Sequence, residues 1–230
     1  MHLVAYNYPD KPSKEEINNY GMFYNNLKYI LPCKYCRISL DKFMSEIPLE
    51  KYIGSRKKLT EWVYLIHNKV SDKLRKEGLT DKPNPTLKFV NEMYESMKSD
   101  ILPGWDFIYS VAFTYPEKEK DVSFDKMQHY ITFFQSLGNV MPCLKYRTLY
   151  NKFYSEVPVG DYINCGKDLT KWLYEINCKI NGELFKNKND SYSHLCQVMT
   201  HNQTFACSRN GDKGITCRKK KVTTITPYMS

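Results

Sequence analysis

Apolar residues recur along most of this chain at the spacing of amphipathic helices. In residues 59–76 the apolar positions are Leu59, Trp62, Val63, Leu65, Ile66, Val70 and Leu74. This i, i+3, i+4, i+7 spacing is typical of a helix with one buried face. Residues 14–30 and 36–47 show the same period and stop before prolines. Strand patterns are nearly absent, so the pattern predicts an all-α protein.

The chain repeats itself. A shift of 110 positions lays residues 32–74 over residues 142–184 without a gap, whereas the N-terminal parts match at a shift of 107. The identical pairs include Pro32 and Pro142, Cys33 and Cys143, Phe43 and Phe153, Trp62 and Trp172, and Tyr64 and Tyr174. Self-similarity over this length predicts two copies of one bundle of four or five helices. We expect the copies to pack as a pseudo-symmetric pair.

Three segments follow from this repeat. The predicted domains are residues 1–95 for the first copy, 96–186 for a degenerate second copy, and 187–230 for a flexible, basic, cysteine-containing tail. Gly78, Pro83 and Pro85 mark a helical turn-and-linker region between the copies.

Composition excludes several classes of protein. The formal net charge is +9, but the lysines are scattered along helix-like segments and not clustered as a nucleic-acid surface requires. No stretch of about 18 apolar residues exists, so a transmembrane helix is not expected. The first residues lack the charged and apolar regions of a secretory signal. We therefore expect neither nucleic acid nor a membrane as a partner.

The eight cysteines contain one closely spaced pair, Cys33 and Cys36. A zinc site would need a second such pair of ligands, so no metal is expected. Pro32 opens a helix at Cys33, where the helix dipole and free N–H groups favour a thiolate. A lone CxxC without a signal peptide favours redox chemistry over a zinc site, but taken alone it is more often an incidental structural pair in a reducing compartment.

A second motif lies on the long helix of the first copy. His67 and Asn68 flank the apolar stripe that contains Trp62, a position suited to hydrogen bonding with a planar ligand. Lys73 and Lys76 follow one and two turns later and could reach phosphates. Taken alone, these residues are more typical of a satisfied core histidine and solvated lysines.

Together the motifs carry a resemblance. The order HxxAxxYPxxP in residues 2–12, PCxxC in residues 32–36 and WxxxxHNxV in residues 62–70 resembles the Erv/ALR family of FAD-linked sulfhydryl oxidases. The resemblance is strong over residues 1–78 and decayed over residues 104–185. The tandem arrangement is similar to the pseudo-dimeric oxidases of large DNA viruses.

The resemblance implies a site and a reaction. Cys36 would be the flavin-proximal sulfur and Cys33 the outer sulfur that meets substrate thiols. Electrons would pass from a protein dithiol through the CxxC and FAD to O₂, giving a disulfide and hydrogen peroxide. The implied FAD contacts are His2, Tyr8, Trp62, His67, Asn68, Val70, Lys73 and Lys76.

The first copy departs from the family pattern in three places. Ser71 stands where the family usually has a second Asn. The family's first-helix Trp would precede Met1, although the second copy keeps it as Trp105. The family's structural disulfide after the CxxC has no cysteines to form it in the first copy.

The second copy has lost the chemistry of the motifs. Cys36 becomes Tyr146, and His67 and Asn68 become Asn177 and Cys178. We therefore expect this copy to bind no FAD and to serve as a packing partner.

Other cysteines lie in and after the second copy. A structural disulfide between Cys165 and Cys178 is one hypothesis. Cys207 and Cys217, in the tail, could shuttle electrons from substrates to Cys33, since a flexible segment has the reach. Structural pairing of these two is an equal alternative.

An alternative to the enzyme is a non-catalytic helical interaction protein with a leftover CxxC. A homodimer of pseudo-dimers is left open. The host cytoplasm, a viral factory or a virion are the expected locations if the chain is viral, and the mitochondrial intermembrane space is the alternative.

Overall fold

The structure, a computed structural model, describes residues 1–97, 104–185 and 191–202. Every regular element in these ranges is a helix, and the prediction of an all-α fold is confirmed. The first copy comprises α1 (His2–Tyr6), α2 (Lys14–Ile30), α3 (Lys34–Glu46), α4 (Arg56–Lys76) and α5 (Leu87–Ser96). The second comprises α6 (Trp105–Ala112), α7 (Phe124–Val140), α8 (Leu144–Glu156), α9 (Gly166–Phe185) and α10 (Tyr192–Asn202). We call these two halves repeat one and repeat two.

Local capping chemistry sets the ends of the helices in repeat one. Ser13 and Glu16 form a reciprocal capping box at the start of α2. The end of α4 is a Schellman turn: Gly78 adopts φ +68°, and the N–H of Leu79 donates to the carbonyl of Leu74 at 2.9 Å. A side chain would be strained at that φ, which explains the glycine. This turn fixes where α4 ends and the linker begins.

The two repeats share the same core. Trp62 and Trp172 are fully buried, and each indole N–H donates to a backbone carbonyl at 2.8 Å, of Ile47 and Val157 respectively. Each indole also meets one ring of the second helix of its repeat edge-on, with centroids 5.3 Å apart. The sequence repeat is therefore a structural repeat, and the predicted tandem organisation is confirmed.

Helices α2 and α7 join the two repeats. Phe23 stacks on Phe133 with ring centroids 6.0 Å apart. Nearby, His129 stacks on Tyr29 at 3.7 Å and its Nδ1 lies 2.8 Å from Oδ1 of Asn26. An aromatic centre with a hydrogen-bonded flank makes this a packed interface within one chain, as a pseudo-dimer requires.

Part of the predicted tail is folded. Residues 192–202, assigned to the flexible segment 187–230, form helix α10. The Tyr192 hydroxyl lies 2.7 Å from Oγ1 of Thr170, and Met199 is buried. The apolar pattern of this segment is too weak to predict a helix. Its contacts with α9 stabilise the helix in the structure. Cys207 and Cys217 lie outside the described residues.

Candidate active site

The CxxC pair begins α3. Cys33 is the N-cap residue, and its Sγ accepts the backbone N–H of Cys36 at 3.2 Å. Cys33 is half-buried, while Cys36 is more exposed. A hydrogen bond to Cys33 is the main cause that raises the pKa of the Cys36 thiol, and the positive charges of Lys73 and Arg37 oppose the shift. The pKa of the Cys36 thiol is therefore tied to Cys33, its partner in the pair.

Arg37 holds the turn that leads into the pair. Its guanidinium donates to the backbone carbonyl of Leu31 and, at 3.4 Å, to that of Pro32. In repeat two, Arg147 donates to the Met141 carbonyl at 2.7 and 3.0 Å. The arginine contact is kept in repeat two, where the second cysteine of the motif is lost. It therefore stabilises the turn itself and does not depend on the redox pair.

Two histidines from distant parts of repeat one meet at the side of α4. Nε2 of His2 lies 3.0 Å from Nδ1 of His67, and the buried His2 ring stacks on Tyr94 with centroids 4.7 Å apart. Burial, followed by the charge of His67, lowers the pKa of His2 to about 3. His2 is thus a neutral ring at physiological pH. Its buried Nδ1 has no hydrogen-bond partner among the described residues.

Lys73 extends from α4 towards α3. Its Nζ donates to Oγ of Ser39 at 2.9 Å, one turn after Cys36, and lies 3.7 Å from Oε1 of Glu77. Its positive charge acts to lower the pKa of Cys36. The lysine predicted to reach phosphates therefore lies beside the redox pair.

The remaining predicted site residues divide into two groups. Asn68 and Val70 are half-buried on α4, and Lys76 is exposed on its last turn. Tyr8 and Trp62 are fully buried, and the Tyr8 hydroxyl donates to the Ile53 carbonyl at 2.9 Å. Tyr115 makes the same contact with Ile163 in repeat two, at 2.7 Å. Tyr8 and Trp62 thus have scaffold contacts that do not depend on the site, and their contacts with a cofactor stay predictions.

Sequence reasoning missed residues on α5. Tyr94 stacks on both His2 and Tyr6, and the Tyr6 hydroxyl donates to Oδ1 of Asn91. The sequence assigns no site residue to this segment, which follows the turn-and-linker region marked by Gly78, Pro83 and Pro85. The aromatic at position 94 was the available signal, but nothing in its spacing points to His2.

Repeat two lacks the same constellation. Tyr146 fills the position of Cys36 and is buried, and Tyr109 fills the position of His2. Asn177, in place of His67, is buried and its Oδ1 accepts from Asn181 at 2.8 Å. Glu183, in place of Lys73, pairs at the surface with Lys152 at 3.2 Å. The scaffold of the site is retained while its chemical groups are replaced.

The predicted disulfide between Cys165 and Cys178 is wrong. Cys165 directly precedes α9, and Cys178 lies within that helix. At 1.5 Å per residue, their Cα atoms are about 20 Å apart, whereas a disulfide needs less than about 7 Å. Cys165 instead contacts Oδ2 of Asp168 at 3.2 Å, and neither cysteine forms a disulfide.

Two negative observations apply to the described ranges. No group of three or more His, Cys, Asp or Glu side chains there could hold a metal ion. No helix in these ranges is both long enough and apolar enough to span a bilayer.

The fold and the site define a class of protein: a tandem pair of helical bundles in which one bundle carries a CxxC at a helix start with a lysine beside it, and a buried histidine against its long helix. The sequence pattern of the Erv1 / Alr family matches residues 1–95 and again residues 103–206. The chain therefore belongs to the Erv1 / Alr family, with one copy in each repeat.

Curated relatives bear names of one kind. The chain is 38% identical over 80 residues to a "Probable FAD-linked sulfhydryl oxidase" of Acanthamoeba polyphaga mimivirus, covering 34% of this chain and 56% of that protein. It is 31% identical over 106 residues to a mitochondrial FAD-linked sulfhydryl oxidase of Saccharomyces cerevisiae, covering 46% and 48%. The chain spans about half the length of the curated relatives that it matches. No solved structure matches it significantly.

Proposed function

We propose that this chain is an FAD-dependent sulfhydryl oxidase with a single active site in repeat one. The overall reaction joins two thiols of a protein into a disulfide and reduces O₂ to hydrogen peroxide. The observation that carries the proposal is that repeat one alone has both the CxxC with Lys73 beside it and the contact of His2 with His67 on the same long helix α4. The names of the relatives support the same activity.

The residues of repeat one fit FAD. Nδ1 of His2 is buried and lacks a hydrogen-bond partner among the described residues, and the stacked Tyr94 ring fixes the orientation of the imidazole. Lys73 supplies a positive charge close to Cys36. Of the predicted contacts, His2, His67, Asn68, Lys73 and Lys76 would hold the dinucleotide by polar contacts, and Tyr8, Trp62 and Val70 would pack around it. When bound, FAD accepts the electron pair of the dithiol and delivers it to O₂.

The protein residues perform the thiol exchange. A substrate thiolate attacks Cys33 of the oxidised pair, and Cys36 leaves as a thiolate near Lys73. The second substrate thiol, as a thiolate, then attacks the substrate sulfur of this mixed disulfide and releases Cys33. The substrate has lost two electrons and two protons, and Cys33 and Cys36 have gained the electrons as a reduced pair. The raised pKa of Cys36 favours reprotonation of this sulfur.

Repeat two is proposed to bind no FAD, because Tyr146, Asn177 and Glu183 replace the groups that would hold and reduce it. The proposed partners are protein dithiols and O₂. Whether Cys207 and Cys217 deliver electrons to Cys33, and whether the pseudo-dimer pairs again, stay proposals. The relatives include a viral and two mitochondrial proteins, and both proposed locations are consistent with that.

The test is a visible absorption spectrum together with oxygen uptake on dithiothreitol, for wild type and Cys36→Ser. We expect about one FAD per chain in both proteins, and uptake reduced to the uncatalysed rate in the variant. Cys143→Ser, at the position of Cys33 in repeat two, is the matched control and should keep full activity.

Other outcomes would contradict the proposal. Two FADs per chain would contradict the single site. A colourless protein that takes up no oxygen after FAD is added would favour the non-catalytic interaction protein.

A further inference from the structure

Glu77 stands at a position where a carboxylate is unfavourable. It is the C-cap residue of α4, and its own N–H donates to the Lys73 carbonyl at 3.1 Å. The carbonyl end of a helix carries partial negative charge, so an acid there is repelled. The last turn of a helix is instead stabilised by basic residues. Helix formation therefore does not account for an acid here.

Burial adds a second cost. The Glu77 side chain is 9% exposed, and neither carboxylate oxygen has a hydrogen-bond donor among the described residues. Among the described residues, Glu77 forms an ion pair with Lys73. The Lys73 Nζ lies 3.7 Å from Oε1 of Glu77 and donates its hydrogen bond to Ser39. A buried carboxylate without hydrogen bonds is strongly destabilising. Such an acceptor calls for a ligand that supplies donors.

The chemistry of the missing donors is specific. A carboxylate has two oxygens that can accept from two adjacent hydroxyl groups, as acidic residues do with ribose in dinucleotide-binding proteins. Lys73 connects Glu77 to Ser39, one turn beyond Cys36, so the acceptor belongs to the same site as the redox pair. Repeat two has no lysine equivalent to Lys73, because Glu183 occupies that position and pairs with Lys152.

We propose that Glu77 is a further cofactor-binding residue, which accepts hydrogen bonds from a diol of the dinucleotide while Lys73 faces its phosphates. This inference rests on the proposed function, since FAD supplies the diol. Two parts of FAD carry neighbouring hydroxyls, the ribityl chain and the ribose of the adenosine half. The shared chemistry is a vicinal diol, and binding of each half separately distinguishes the two sources.

The test compares Glu77→Gln with wild type in the flavin-free full chain. Glutamine keeps the shape but removes the charge and one acceptor. We expect the Kd for FAD, measured by flavin fluorescence, to rise about tenfold to a hundredfold, as for loss of hydrogen bonds to a charged group. The melting temperature without FAD should stay the same or rise, since the variant no longer buries an unpaired charge. Glu46→Gln, which alters an exposed acid paired with Lys69, is the control and should change neither value.

Titrations with FMN and with ADP assign the diol. Weaker binding of FMN alone places Glu77 at the ribityl chain, and weaker binding of ADP alone places it at the ribose. An FAD affinity equal to that of Glu46→Gln overturns the inference, as does a weaker affinity accompanied by a lower melting temperature without FAD, which indicates a structural ion pair. A wild-type chain that binds no FAD contradicts the proposed function itself, and the two failures are thus distinct.

Discussion

Repeats one and two have one scaffold and different chemical content. The buried tryptophans Trp62 and Trp172 make matching contacts. Arg37 and Arg147 likewise donate to the backbone carbonyl of the equivalent residue in each repeat. In contrast, the residues that could carry redox chemistry differ at nearly every position. The comparison teaches that the contacts which stabilise this bundle are separable from those that form its site.

The interface between the repeats also departs from symmetry. On one side Tyr29 stacks on His129 and Lys28 pairs with Asp41 at 2.7 Å. At the equivalent positions on the other side the chain has Asn139, Asn19, Gly138 and Asn151, and a polar cavity of about 380 Å³ opens there. Three of these four residues, Asn139, Asn19 and Gly138, are smaller than the residues they replace, and they line the cavity. The asymmetry is therefore accompanied by a loss of side-chain volume on this side.

The largest expected effect tests whether the two scaffolds are equivalent. Trp62→Ala and Trp172→Ala should each lower the free energy of unfolding by about 3–5 kcal/mol, since each removes a fully buried indole and its hydrogen bond. Urea unfolding of the flavin-free chain measures both. Only Trp62→Ala should also weaken FAD binding. A cost confined to Trp62→Ala would show that repeat two does not depend on its core in the same way.

Much of this comparison could be predicted from the sequence, and the reasons are local. The period of apolar residues and the identity of Trp62 with Trp172 predict the helices and the repeat. The CxxC at the start of α3 follows from one proline. In contrast, the contact of Tyr94 with His2 and the burial of Glu77 depend on how distant helices pack, which no local pattern encodes. The predicted disulfide between Cys165 and Cys178 is wrong because the residues between them form a helix, which holds the two cysteines too far apart.

A second prediction concerns the pH dependence of stability. The pKa of His2 is about 3 in the folded chain and 6.5 ordinarily, so the unfolded chain takes up a proton first as the pH falls. Stability is therefore lost progressively below pH 6.5, by up to about 2 kcal/mol at pH 5 from this residue. His2→Tyr, which copies Tyr109 of repeat two, should remove that part of the loss.

The measurement is urea unfolding of the flavin-free wild type and of His2→Tyr at pH 7 and pH 5. The difference between the two pH dependences reports His2 together with its coupling to His67 and the N-terminal amine, because the remaining titrating groups are common to both proteins. Equal dependences would mean that His2 is protonated in the folded chain, in contradiction of its burial beside His67.

The smallest expected effect concerns a pair of matched ion pairs at the surface. Lys69 bonds to Glu46 at 2.7 Å and Lys179 to Glu156 at 3.3 Å, and all four side chains are more than a third exposed. Water and salt screen such pairs, so Lys69→Ala and Lys179→Ala should each change the free energy of unfolding very little. The two changes should be equal in low salt and vanish in high salt. A larger, salt-insensitive loss for Lys69→Ala alone would mean that the end of α3 is held against α4 for the site in repeat one, and the two scaffolds would then differ in more than their chemical groups.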